Sequence, residues 1–397
     1  RAIHTTGPIS GAFRGFGVPQ TAIAGESLVD DLAERLGIDR LTIRLRNALR
    51  AGSTTATGQI LAASAGLAPC LEALQPAWAA ALEEAAAMND AAAATRRGVG
   101  IAAMWYGIGN TSLSNPSTIR IGLRRDGRYV LFSGAQDIGQ GSNTILTQIA
   151  ADTLEVGVER IERVTGDTDR TPDAGKTSAS RQTFVSGNAT RLAALDLLAR
   201  IERAGPDLEA LPELDGGDGC ILVGTGHYDP RTTELDEDGQ GIPYETYAFG
   251  AQVAVVDVDL ELGTTIVRRI VAAHDVGRAI NPLLVEGQVT GGIAQGLGMA
   301  LMEAYEAGRT DNLHDYLIPT IGDIPPIEVI LVEDAEPSGP FGAKGVGEPA
   351  LIPTAPAILS AIRHATGARV TDVPATPDRV LAAIRAAAAS ASTGGVT

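Results

Sequence analysis

Residues 342–351 read GAKGVGEPAL, and the chain is organised around them. Glu348 is the one carboxylate in a stretch made mostly of Gly, Ala, Val and Pro. Gly342, Gly345 and Gly347 allow tight turns and a close backbone approach to a bound group. Pro349 delays the start of the following helix. With so few hydrogen-bonding neighbours in its own segment, the Glu348 carboxylate is expected to be partly desolvated and suited to act as a general base. A Gly/Pro loop with one solvated glutamate fits the same letters, so the rest of the chain must separate the two readings.

The 397 residues exceed a minimal core and imply two domains or one large α/β unit. An apolar fraction of 44% is ample for a core, whereas aromatics make up only 4%, so an aromatic placed in a loop is notable. Forty-eight acidic residues against 31 basic give a net charge of −17, and no basic cluster tracks phosphates; nucleic acid is not the expected partner. Cys70 and Cys220 lie too far apart in sequence to imply an iron–sulfur cluster, a Cys-based zinc site or a disulfide framework, and a reduced, cytoplasmic setting is the default. His4, His227, His274, His314 and His364 are scattered, so protein side chains are not expected to ligate a metal. No apolar run reaches membrane-spanning length. The chain opens at Arg1 and enters a motif within its first dozen residues, as a piece of something larger would.

Residues 10–20, SGAFRGFGVPQ, form a Gly-punctuated loop presenting Phe13, Arg14 and Phe16, with Pro19 in a first helical turn. Leu28, Leu32 and Leu36 recur every four residues, which predicts an amphipathic helix ending at Gly37; Asp39 is placed to cap the next one. Residues 51–95 read as a connector with a helix near 70–88. After Gly98 come a strand-like stretch with Trp105 and Tyr106, then a hairpin of 117–123 and 129–133. In GAQDIGQGSNTILTQIAAD (134–152), Gly139-Gln140-Gly141 separates strand from helix. Free amides there make an anion site, although a glycine-eased turn explains them equally. Residues 171–190 gather Thr177, Ser178, Ser180 and Thr183 around Arg181 and Gln182, which suits either a polar, phosphate-bearing ligand or a solvated loop. Residues 204–247 read as an irregular surface excursion. A hairpin of 251–260 and 264–275 leads to a helix whose Gly287, Gly291, Gly292, Gly296 and Gly298 weaken it and imply close approach of a backbone or ligand; Gln295 projects from that helix. A strand at 327–332 feeds the Glu348 loop, and helices at 354–365 and from Pro377 finish the chain.

In this order the motifs resemble the molybdenum-binding subunit of the xanthine dehydrogenase/aldehyde oxidase family of molybdenum hydroxylases. The carriers are GAFRGFGVPQ, GAQDIGQGSNT, TSASRQTFVSGNAT, HDVGRAINPLLVEGQVTGGIAQGLG and GAKGVGEPAL. The resemblance spans roughly residues 5–365 but only the second half of that subunit. It implies an α+β fold of mixed sheets with packed helices, residues 1–95 ending a first cofactor-binding domain and 96–397 forming a second. It also implies a molybdopterin cofactor, as the cytosine dinucleotide, with the metal held through the pterin. By this resemblance Glu348 matches the catalytic base and Gln295 the glutamine beside the metal. Gly139, Gln140 and Gly141 match a pterin-binding turn; Ser178, Ala179 and Ser180, followed by Arg181 and Gln182, match a loop around the cofactor. Phe13 and Arg14 belong to a loop that approaches the metal centre, Phe16 matches an aromatic that stacks on substrate, and Lys344 is placed with the cofactor-binding set. Asn110 and Thr111 stand where purine-oxidising members carry a Phe-Thr pair, so the two-sided aromatic sandwich is missing. The implied reaction is hydroxylation of an aromatic N-heterocycle, nicotinate-like or purine-like, with water-derived oxygen. An aldehyde substrate is the alternative, and a non-catalytic cofactor-holding half is the rival class. Partner chains are expected for the first molybdenum half, for [2Fe–2S] clusters and for FAD.

Overall fold

The structure, a computed structural model, describes residues 3–393 apart from 5, 8, 10, 90–92, 207, 209, 210 and 215–217. The apolar run Tyr247–Asp259 (β6) is buried along nearly its whole length, which a strand tolerates when both faces of its sheet are covered. It pairs antiparallel with β1 (Thr95–Gly107) and with β7 (Thr265–Asp275), and β8 (Ile327–Val332) joins β7 in parallel. Side chains alternate between faces. Ala251, Val253 and Val255 meet Leu71 of α3 (Leu67–Ala73) and Trp78 of α4 (Gln75–Met88). Ala254, Val256 and Val258 share a core with α7 (Pro282–Leu301) and α8 (Thr354–Thr366). The helices before position 95 thus share one core with the sheet after it. Gly98 and Gly100 of β1 let α8 lie close: a Cβ on either would sit 1.9 Å from the Ala361 carbonyl or 2.1 Å from that of Ala357.

A second four-stranded sheet runs β4-β3-β2-β5, built from β2 (Ser117–Arg124), β3 (Tyr129–Ser133), β4 (Ile161–Thr165) and β5 (Cys220–Tyr228), with β4 parallel to β3. Leu146 and Ala150 of α5 (Ser142–Leu154), with Ala193 and Leu197 of α6 (Gly187–Ala204), cover Ile119, Ile121 and Leu131. The helix α9 (Pro377–Thr393) follows α8. The fold is therefore α+β with mixed sheets, as expected. Among the described residues no helix is long and apolar enough to cross a membrane.

Two expectations are corrected. Residues 204–247 are not all irregular, because they include β5; its Gly224 and Gly226 let it approach the α6 backbone and hide its strand character. The helix α1 (Val18–Leu36) forms as predicted, but Leu28, Leu32 and Leu36 face outward, while Asp30 and Ala33 are buried. On α6, Leu192 and Leu195 are likewise exposed, and the small residues Ala193 and Ala194 face the sheet. Asp39 does cap α2 (Arg40–Asn47), accepting the Thr42 amide at 2.8 Å.

Candidate functional site

The Glu348 loop is fixed at both ends. At its start, Lys344 donates its amide to the Val276 carbonyl (2.9 Å), and Arg278 donates to Gly342 (2.8 Å). The Lys344 ammonium lies 2.5 Å from Asp275, and both side chains are fully buried. Burial outweighs that lysine and holds the Asp275 carboxyl above its ordinary value. Lys344 therefore locks the loop to the end of β7 and does not line the cleft described below. At the loop's far end, Pro349–Leu351 make one 3₁₀ turn against α7. A Cβ on Gly292 would lie 2.7 Å from that of Ala350, and one on Gly296 2.4 Å from that of Thr354. The close approach expected of the α7 glycines is met there, while Gly287 and Gly291 face open space.

Glu348 is buried, but its hydrogen-bonding company is richer than its own segment implies. The Tyr106 hydroxyl from β1 donates to Oε2 at 2.6 Å and the Ser180 hydroxyl at 3.0 Å. The Ser180 oxygen in turn accepts the Glu348 amide at 2.9 Å. Oε1 receives only the Gly15 amide, at 3.4 Å. These donors come from elements far away in sequence, so the loop's composition could not announce them. Burial and the neighbouring Glu348 push the Tyr106 phenol well above its ordinary range, which keeps it protonated.

Arg14 ties three elements together. Its Nε donates to the Gly347 carbonyl (2.6 Å), Nη1 to Gln295 Oε1 (3.1 Å) and Nη2 to the Gln288 carbonyl (3.0 Å). Burial lowers its pKa, and the Glu348 charge opposes that shift. Around this junction lies a cleft of about 600 Å³. Phe13, Arg14, Phe16, Gly139, Gln140, Ser178, Ser180, Arg181, Gln182, Gln295 and Glu348 all line it, although the first and last of them stand near opposite ends of the chain. Gly141 and Ala179 lie outside the lining, as do Asn110 and Thr111; the Thr111 hydroxyl is bonded to that of Tyr244.

Several lining groups differ from expectation in what they do. The amides expected to bind an anion at the start of α5 are already taken. Asp137 accepts from Gly139 (2.9 Å), Gly141 (3.2 Å) and Asn143 (3.1 Å). Burial alone would raise the Asp137 pKa, but these donors outweigh it and hold it below its usual range. Gln140 is engaged within the same turn, with Ile138, Gln136 and Ser142. Arg181 is fully buried and donates to the carbonyls of Ala174, Lys176, Asn115 and Pro116, so it clamps the loop; burial pushes its pKa down to about 10. Gln182 is spent on Ser186 and Thr177. Sequence reasoning missed Gln288, which lines the cleft beside Gln295. Its signal was available, because residues seven apart share a helix face. Tyr106 carried no motif.

A molybdopterin fits the donor set that remains. Ser178 Oγ is buried, belongs to a residue that lines the cleft, and has no hydrogen-bond partner among the described residues. Gln288, Gln295 and Thr183 also line the cleft. These are neutral donors and acceptors suited to a pterin's amide edges. Ala179 and Ser180 hold left-handed backbone, φ 56° and 55°, beside Gly345, where a Cβ would collide with the Ser180 carbonyl at 1.8 Å. Strain of this kind concentrates at binding sites.

Two family profiles, each described as a molybdopterin cofactor-binding domain, match residues 73–325 and 1–48. Aldehyde oxidoreductase of Megalodesulfovibrio gigas is 36% identical over 97% of this chain and 43% of the relative. The xanthine dehydrogenase molybdenum-binding subunit of Escherichia coli O157:H7 is 36% identical over 96% of this chain and 54% of the relative. The solved aldehyde oxidoreductase from Desulfovibrio gigas superposes with a TM-score of 0.87 at 35% identity, covering 94% of this chain and 42% of that one. The chain spans about half the length of the curated relatives it matches. With its buried glutamate loop, its arginine junction and the cleft around them, the chain belongs to the molybdopterin-binding xanthine dehydrogenase/aldehyde oxidase family.

Proposed function

We propose that this chain supplies the base and part of the cofactor pocket of a molybdenum hydroxylase that inserts water-derived oxygen at an electron-poor carbon of an aromatic N-heterocycle. The observation that carries this reading is Glu348, buried at the cleft with one carboxylate oxygen doubly bonded by hydroxyls and the other nearly free. The Ser178–Ser180 turn, Gln288 and Gln295 would hold molybdopterin, in its cytosine dinucleotide form, and Arg14 would keep Gln295 and the Glu348 loop in register. When bound, the molybdenum centre supplies oxygen-transfer chemistry and takes up two electrons. Glu348 accepts the proton that this chemistry releases. Phe13 and Phe16 offer apolar ring faces against which a flat substrate can lie. Electrons leave through [2Fe–2S] and FAD groups on partner chains of a cytoplasmic complex, in which another polypeptide segment carries the first molybdenum half.

One observation favours an aldehyde as second substrate class. Asn110 and Thr111 stay out of the cleft and bring no second ring opposite Phe13 and Phe16, an arrangement that suffices for a small carbonyl compound. The test is Glu348→Gln in the assembled complex, assayed with N-heterocycles and with aldehydes. Turnover of the true substrate is expected to fall by about 10²–10⁴-fold while molybdenum content stays constant. Unchanged turnover removes Glu348 as base and leaves a non-catalytic, cofactor-holding half.

A further inference from the structure

We propose that the Tyr106 and Ser180 hydroxyls act as positioning groups on Glu348, saturating Oε2 so that Oε1 is the atom that takes the proton. This rests on the reading of Glu348 as a base. The assignment comes from counting donors and lone pairs. Ser180 Oγ accepts the Glu348 amide at 2.9 Å, which turns its own hydrogen towards Oε2 at 3.0 Å. The Tyr106 hydrogen goes to the same oxygen at 2.6 Å. A carboxylate oxygen offers two lone-pair sites, and both on Oε2 are then filled. Oε1 keeps only the Gly15 amide at 3.4 Å, at the weak end of hydrogen bonding.

The surroundings leave these roles no alternative. Tyr106 is buried on β1, where it packs beside Met104 and Ile352, so its hydroxyl cannot swing to water. Its phenol is held protonated by burial and by Glu348 itself, with Tyr244 adding to the effect, and it serves as a donor only. The loop before α1 faces Glu348 with the Arg14 guanidinium, a permanent cation. From α7 come the neutral amides of Gln288 and Gln295, and from the 178–181 turn the Ser180 hydroxyl. Tyr106 and Ser180 therefore set which oxygen the carboxylate presents.

The experiment uses the assembled, molybdenum-loaded complex with Tyr106→Phe and, separately, Ser180→Ala, each checked for metal content and melting temperature. Two quantities are read: the pH at which the protonated-carboxyl infrared band of Glu348 appears, assigned by its loss in Glu348→Gln, and the acid limb of the kcat profile. Removing one donor from a charged group is expected to move both to higher pH by about one to two units, with kcat changing more than KM. Band and acid limb unmoved in both variants overturn the proposal. If Tyr106→Phe fails to assemble, Ser180→Ala alone decides in the same way. A band that stays put while Glu348→Gln is inactive overturns the positioning role only; a band that moves while Glu348→Gln retains full turnover overturns the base reading beneath it.

Discussion

Lys344 and Asp275 show how a residue inside a functional motif can serve the scaffold. Their charges meet at 2.5 Å with no solvent exposure, and Asp275 also accepts the Gly277 amide at 2.9 Å. Removing one partner of such a pair strands the other charge in a dry interior. Lys344→Met is expected to lower stability by about 3–5 kcal/mol, measured by denaturant unfolding, with Lys344→Met/Asp275→Leu recovering much of the loss. A double variant as unstable as the single one contradicts this. His274 sets a pH dependence. It is wholly buried, and burial, with Arg14 adding to it, pushes its pKa down to about 4. As pH falls below the unfolded value of about 6.5, the unfolded chain takes up the proton first, so stability is full above that pH and declines by about 1.4 kcal/mol per unit down to about pH 4. His364, lowered by burial and by Arg40, adds to the same slope. Melting temperatures that fall from pH 7 to pH 5, with a shallower fall in His274→Gln, are the expected result. Glu348, Arg14 and Gln295 were legible because each stands in a motif. Tyr106 was not, since its role depends on a strand register that places it against a loop more than two hundred residues away.

At the scale of elements, periodicity gave the helices more reliably than their faces. The four-residue spacing of Leu28, Leu32 and Leu36 does mark α1, but the buried side carries Asp30 beside Pro19 and Ala33. Asp30 is satisfied there by Arg44 at 2.9 Å and by the Ser360 hydroxyl from α8. A hydrophobic count has no means of foreseeing a carboxylate whose partners sit on two other helices. The two faces should respond oppositely to substitution. Asp30→Ala removes one of the two carboxylates paired with the buried Arg44, leaving Glu26 at 2.8 Å, and is expected to cost about 1–3 kcal/mol, whereas Leu32→Ser should change stability by no more than about 0.5 kcal/mol. Urea midpoints of the two variants check this, and a large loss in Leu32→Ser would contradict the observed orientation. The α5 turn teaches a related lesson. Glycines before a helix were read as an open anion site, yet Asp137, two residues before Gly139, supplies the anion from within.

At the scale of the molecule, two mixed sheets with their helices bring into one cleft motifs that lie at opposite ends of the chain. The order of those motifs was enough to place the chain in its family. It did not reveal which members of each motif line the cleft, because that depends on packing between the sheets. Gly141, Ala179 and Lys344 sit behind the lining, and Asn110 and Thr111 to its side, while Gln288 joins it. The central claim is that this cleft forms part of a molybdopterin site. The most direct test is the elemental molybdenum content, per copy of this chain, of the complex purified from its native host. About one metal per chain is predicted, as befits one resident cofactor at one cleft. A value near zero, with no bound pterin in material that still contains the partner chains, would contradict it.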